Sequence, residues 1–214
     1  MFDKHYVNWQ ISRINTIEKY LGFEFFKNKS VSEIGCGHAF FGNYLSKFCD
    51  KVTVSDARIE HIETIKQNYP HLNTHVMDVD GEFIEEKTDI LIDFGVLYHI
   101  INVESHIKSF SNYDYIILET EVVDSDQNTT IIVDEEQYRY DQAYNGVGSR
   151  PSQLMVENFL GSAGFDFMLI KDSILNTPHH IYDWEIQNTN TWRNGLRRFW
   201  VCWKKSLNNP CIIS

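Results

Sequence analysis

Five short runs rich in β-branched and apolar residues limit what this chain can fold into. They are SVSEI (30–34), KVTVS (51–55), NTHVMD (73–78), TDILIDFG (88–95) and YDYIILET (113–120). Between them lie segments with apolar residues at helical spacing: FFGNYLSKF, RIEHIETIKQNY (closed by Pro70) and residues 103–111. An earlier amphipathic helix spans 9–21 and stops at Gly22. Strands that alternate with helices, each strand a near-continuous apolar run, predict a parallel sheet covered on both faces. Residues 121–150 read as a polar loop, SQLMVENFLGSAGF as a helix, and FMLIK as a further strand. RRFWVCWKK (197–205) would close the sheet as an antiparallel strand, with Trp200 and Cys202 on one face and Phe199, Val201 and Trp203 on the other. The fold class is therefore α/β, a doubly wound, mostly parallel seven-stranded sheet with an antiparallel C-terminal strand.

In such sheets ligands bind beyond the carboxyl ends of the strands, where strand order reverses. The turn after the first strand reads EIGCGHAFFG, placing Gly35, Cys36 and Gly37 where bare backbone can meet a ligand. The second strand ends in Asp56, 21 residues after Gly35, followed by Ala57. A carboxylate there can accept hydrogen bonds from both ribose hydroxyls of an adenosyl group. Asp78 ends the third strand and can accept from an adenine amino group, with Val79 and Phe94 flanking the ring. Gly95 and Tyr98 complete the set after the fourth strand. Taken singly, these residues also suit turns, a helix cap or the core. Together they point to an adenosyl ligand.

The loop lacks the GxGxxG spacing that holds a pyrophosphate, and Glu33 stands directly before it. A carboxylate repels a diphosphate and attracts the ammonium of an amino acid. That favours S-adenosyl-L-methionine over NAD.

EIGCG, the acid ending the second strand, and the region after the fourth strand resemble the class I S-adenosylmethionine-dependent methyltransferases, whose sheet is Rossmann-like. The likeness covers roughly residues 30–205, so 30–214 is taken as the methyltransferase domain and 1–29 as an N-terminal helical segment. GVLYH (95–99), ETEVVDSDQNT (119–129) and Pro151-Ser152 are similar to tRNA wobble-uridine carboxymethyltransferases. That closer resemblance implies carboxy-S-adenosyl-L-methionine as an alternative cofactor. It also implies that Tyr98 and Arg198 hold the transferred carboxylate. The chain departs from that family in two respects. Ala39 replaces a loop glycine, and about 30 residues before the first strand are too few for the family's N-terminal extension.

Methyl transfer from a sulfonium needs a positioned acceptor and a dry site more than a protein nucleophile. The candidates for proton chemistry are Tyr98 and His99, with Glu119 at the end of the fifth strand lining the acceptor side. YRYDQAYNGVGSRPS, with Arg150 near its end, is a candidate cover for the acceptor. TWRNGLRRFWVCWKK mixes five basic residues with three tryptophans. That mixture suits a nucleic-acid surface with aromatics to stack bases, or a plain closing strand, and the two readings agree if only Arg193, Arg197 and Lys205 face outward.

With 214 residues, 43% of them hydrophobic and 23% charged, the chain is sized for one packed domain. Its net charge of −11 repels phosphate backbones, so no DNA partner is expected. The acceptor is expected to be a small molecule or an RNA, and oligomeric state is left open. No apolar run suits a membrane span, and MFDKHYVNWQ lacks the apolar stretch of a signal peptide. A cytoplasmic location with four reduced cysteines follows, and no metal is expected. A cofactor-binding partner subunit without catalysis is the reading from a different functional class.

Overall fold

The computed structural model describes residues 4–81, 87–182, 185–192 and 196–213. The seven-stranded sheet is built from β1 (Ser30–Ile34), β2 (Lys51–Asp56), β3 (Asn73–Val76), β4 (Ile90–Phe94), β5 (Tyr115–Glu121), β8 (Phe165–Leu169) and β9 (Arg197–Lys204). Its order is β3-β2-β1-β4-β5-β9-β8. All neighbours are parallel except β9, which runs antiparallel to both β5 and β8. The fold class expected from sequence is the one observed.

Alternation along each strand separates two cores. Ile90, Ile92, Phe94, Phe199, Val201 and Trp203 face the layer formed by α1 (Lys4–Tyr20), α2 (Phe40–Leu45) and α3 (Ile59–Asn68). Leu91, Ile116, Leu118, Trp200 and Cys202 face α4 (Val103–Ser109) and α5 (Gln153–Ser162). The faces assigned to the final strand by the period of two hold.

Two expectations need correction. The helix placed at 9–21 begins earlier, and α1 carries Tyr6, Val7 and Trp9 to the carboxyl ends of the strands. Residues 121–150 are not all loop. They contain β6 (Thr130–Asp134), which pairs antiparallel with β7 (Val147–Pro151) in a separate hairpin. The β-branched run TIIVD explains its first strand. Its second strand, VGSRP, has a glycine and a proline and gives little signal of its own.

Candidate functional site

Strand order reverses between β1 and β4, and a cavity of about 340 Å³ lies beyond their carboxyl ends. That volume is in the range of small-molecule sites. Its floor is the turn from β1 into α2, where Gly35, Gly37 and Ala39 alternate at positive φ of 55°, 54° and 52°. Gly35 is required there. A Cβ would come within 2.2 Å of Val96 Cγ2, and the left-handed backbone would be strained as well.

Asp56 ends β2 and ties this floor down. The Gly37 N–H donates to its Oδ2 (2.9 Å) and the Arg58 N–H to its Oδ1 (2.9 Å). His61 Nδ1 also stands 3.1 Å from Oδ1, so Oδ2 is the oxygen that keeps capacity for a further donor. Asp78 follows β3, where its Oδ2 accepts from Asn145 Nδ2 (3.0 Å). Gly35, Cys36, Gly37, Asp56, Ala57, Asp78, Val79, Phe94, Gly95, Tyr98 and His99 all line the cavity.

Glu33 does not. It lies beneath the loop, buried, and its Oε2 accepts from the Gly42 N–H at 2.8 Å. The reason offered for it, attraction of an ammonium, is therefore corrected. Its carboxyl group takes the N–H of the third residue of α2 from the core side and braces the turn from β1 into that helix. Burial pushes the Glu33 carboxyl up to about 8, against the lowering effect of the Gly42 bond and Arg13.

Arg13, Glu119, Arg197, Glu121, Arg150, Glu135 and His99 form a chain of alternating charge under the other half of the cavity. Arg13 Nη2 donates to Glu119 Oε2. Arg197 Nη1 donates to Glu119 Oε1 (2.6 Å), and its Nη2 reaches Glu121 Oε1 and the Tyr98 hydroxyl, each at 3.3 Å. Arg150 bonds Glu121 Oε2 (2.7 Å), Glu135 Oε1 (3.0 Å) and the Tyr98 carbonyl (2.8 Å). Glu135 Oε2 then meets His99 Nδ1 at 2.6 Å. Burial alone would raise the Glu119 carboxyl, but the Arg197 and Arg13 guanidinium groups hold it below its ordinary range. Burial likewise works to raise Glu135, and the His99 hydrogen bond and its other partners outweigh it. The Tyr98 phenol is pushed up by burial, although Arg197 acts to lower it.

This network corrects three assignments. Glu119 does not line the cavity: it is fully buried between two arginines. Arg150 is also removed from the acceptor side, clamped by carboxylates and stacked near Tyr98 (4.6 Å) and Trp192 (4.7 Å). Arg198 points to the opposite face of β9, where its Nε donates to Gln153 Oε1 (2.7 Å). The arginine beside Tyr98 is Arg197. It shares its strand face with Phe199, whose ring lies 5.5 Å from Phe94. Of the three basic residues that a nucleic-acid surface on this strand would need facing outward, Lys205 is exposed, Arg197 is buried, and Arg193 lies outside the described residues.

The hairpin-loop half of the cavity's roof lies in the stretch expected as a cover, whereas the half supplied by α1 was not foreseen. α1 supplies Tyr6, Val7, Trp9, Gln10 and Arg13. The Trp9 ring is sandwiched between the Arg13 guanidinium (3.5 Å) and the His180 ring (3.6 Å, stacked). Opposite it, Tyr140 to Asn145 of the hairpin loop also face the cavity. Arg58 Nη2 pins that loop through the carbonyls of Gln137, Arg139 and Gln142. Tyr6 Oη meets Asp141 Oδ2 at 3.4 Å, so helix and loop touch across the mouth. Among the described residues no group of three or more His, Cys, Asp or Glu is placed to hold a metal ion. None of the described helices is long and apolar enough to cross a membrane.

Residues 11–128 match the family model for nodulation protein S (NodS). A stretch of 87 residues is 34% identical to 235L of Invertebrate iridescent virus 6, named as a methyltransferase; it covers 40% of this chain and a third (33%) of that relative's length. Among solved structures, the N-terminal domain of EvdMO1, determined in the presence of SAH and D-fucose, aligns with a TM-score of 0.68 at 14% identity, covering 94% of this chain and 84% of that one. A methyltransferase from Mesorhizobium loti aligns at 0.61 and 12% identity, covering 84% and 92%. The N-methyltransferase NodS from Bradyrhizobium japonicum WM9, in complex with S-adenosyl-L-homocysteine, aligns at 0.58 and 12%, covering 92% and 87%. These structures share the fold of S-adenosylmethionine-dependent methyltransferases with this chain.

Proposed function

This chain belongs to the NodS family, and from that premise we propose that it transfers a methyl group from S-adenosyl-L-methionine to a small-molecule acceptor. The observation that carries the reading is the row of bare backbone and carboxylates along one side of the cavity. Gly35 and Gly37 leave room for the amino-acid end of the donor. Asp56 takes the ribose hydroxyls, and Asp78 and Val79 take the adenine, beside Phe94. S-adenosylmethionine supplies a methyl group already activated by its sulfonium charge. The chain's own work is to orient the acceptor behind that methyl group and to exclude water, which the α1 and hairpin roof serves.

The turn after β1 lacks the GxGxxG spacing that holds a pyrophosphate, which supports a sulfonium donor over NAD. Methyl transfer is preferred to carboxymethyl transfer on the evidence of Arg197. The arginine beside Tyr98 is already bound by Glu119 and Glu121, and so offers a transferred carboxylate no spare charge. A roofed cavity of about 340 Å³ and a net charge of −11 favour a small acceptor over an RNA. The sugar present with EvdMO1 belongs to that protein and accords with a small acceptor here.

Calorimetric titration with S-adenosylmethionine, S-adenosylhomocysteine and NAD tests the reading. Both sulfur compounds should bind and NAD should not. NAD binding with neither sulfur compound bound would overturn it.

A further inference from the structure

We propose that His99 is the proton acceptor of the transfer, and that Glu135, brought over it by the β6–β7 hairpin, is the residue that fixes its tautomer. The proposal rests on the methyltransferase reading and adds to it the class of acceptor: one whose attacking atom carries a proton, a hydroxyl or an amine.

The geometry begins with Glu135. Its Oε2 takes the Ala143 N–H (2.6 Å) and His99 Nδ1 (2.6 Å), and its Oε1 takes Arg150 Nη1 (3.0 Å). A carboxylate held by a guanidinium and a backbone N–H is ionised and only accepts hydrogen bonds. The nitrogen of His99 that faces it therefore carries the hydrogen, which assigns the neutral ring as the Nδ1–H tautomer. The lone pair is left on Nε2, and that atom has no hydrogen-bond partner among the described residues. His99 lines the cavity and its side chain is 17% exposed, whereas Glu135 is 1% exposed. The ring is thus reachable from the cavity while its carboxylate is shielded from water.

The surroundings hold this pair in place. The His99 ring leans on Tyr98 with centroids 4.0 Å apart. Gly148 of β7 makes room for the carboxylate. A Cβ there would lie 2.4 Å from Glu135 Oε1 and 2.5 Å from the Tyr98 carbonyl oxygen. The hairpin that roofs the acceptor side thus also completes the dyad.

In the transfer the acceptor's oxygen or nitrogen lone pair forms the bond to the methyl carbon. The carbon–sulfur bond breaks and its electron pair stays on sulfur, leaving neutral S-adenosylhomocysteine. The acceptor's proton passes to His99 Nε2. The resulting imidazolium lies against the Glu135 carboxylate and afterwards loses the proton to water. His99 is a catalytic residue in this scheme and Glu135 a positioning residue.

The test uses the full chain with ¹⁵N-labelled histidine. Two-bond ¹H–¹⁵N correlations of the neutral rings identify each tautomer, and His99→Asn assigns the His99 signals by their loss. The expected spectrum shows the hydrogen of His99 on Nδ1, and Glu135→Ala shifts the ring toward the mixture found in free histidine. An Nε2–H tautomer in the native chain would overturn the proposal, and that spectrum needs no Glu135 variant to fold. Methyl transfer to catechol and benzylamine, as hydroxyl and amine probes, gives the second readout. His99→Asn should lose about 100-fold or more in kcat while binding S-adenosylmethionine within about threefold of the native affinity. Native-like turnover in that variant would also overturn the proposal, and if neither probe is methylated the tautomer decides. Failure of the methyltransferase reading shows separately, as absence of S-adenosylmethionine binding.

Discussion

Beyond β1 to β3 the cavity is lined by the turn at Gly35 and Gly37 and by single carboxylates at the strand ends: Asp56, which ends β2, then Asp78, just after β3. Beneath the lining on the β4 and β5 side lies a layer of paired charged side chains, of which Arg13 alone reaches the cavity. Arg13, Glu119, Arg197, Glu121, Arg150 and Glu135 come from α1, β5, β9, β7 and the hairpin loop. The donor half is assembled from residues adjacent in sequence to the strand that positions them. The acceptor half exists only when elements as far apart as residues 13 and 119 have docked. Damage to the first should therefore cost affinity, and damage to the second should cost stability before it costs anything else.

The largest effect should come from the centre of the network. Glu119→Ala leaves Arg13 and Arg197 buried without their shared carboxylate, and removing one partner of a buried pair costs about 3–5 kcal/mol. Denaturant unfolding should show this loss. A change under about 1 kcal/mol would mean that water reaches the cluster and that the contrast between the halves is wrong.

Glu33→Gln sharpens the comparison, since it probes a donor-side carboxylate that supports the fold rather than the ligand. The Glu33 carboxyl titrates at about 8 in the folded chain against an ordinary 4.5. The unfolded chain releases this proton first, so the contribution is intact below the unfolded value and is lost as pH rises through the folded one. Glutamine carries no such proton. Glu33→Gln should match the native chain near about pH 5 and exceed it by roughly 2–4 kcal/mol near about pH 8. Thermal melts at the two pH values check this, and a pH-independent difference would mean Glu33 stays ionised.

Asp56→Ala should weaken S-adenosylmethionine binding by at least about tenfold, through loss of paired hydroxyl contacts. Calorimetry on the folded variant measures it, and unchanged affinity would move the ribose elsewhere. The smallest effect is expected at Ala39, which sits at φ 52° and is fully buried. In Ala39→Gly, relief of left-handed strain opposes the loss of a buried methyl group and a freer unfolded chain. The net change should stay within about 1 kcal/mol. A gain well above that would show that the native loop is strained.

The same contrast explains what could be read before the structure. Glycines and acids at strand ends are local signals, and Gly35, Gly37, Asp56 and Asp78 all reach the cavity expected of them. Glu33 was noticed for its charge but misplaced, because one residue along a strand reverses the face it serves. The same parity separates Arg197 from Arg198. Phe199 and Val201 had been placed on one face, and Arg197 shares that face. What sequence lacked was the knowledge that Tyr98 stands on the same side. Glu121, inside the ETEVVDSDQNT stretch, and Glu135 gave no sign of their pairing, since a carboxylate in a polar stretch looks solvated until its arginine arrives from another element. Trp9 and Arg13 were hidden differently: the helical period of α1 marks an apolar stripe but does not say that the stripe crosses the mouth of a site.

The clasp beneath the acceptor side balances three arginines against three glutamates, nearly all of it out of water. Dissolved ions screen exposed charges far more than enclosed ones, so added potassium chloride will veil the −11 envelope while leaving that clasp shut. Ionic strength thereby becomes a gauge of the unknown acceptor's own sign. Turnover that slows as salt is added marks a cation drawn in by the envelope, and turnover that quickens marks an anion no longer pushed away.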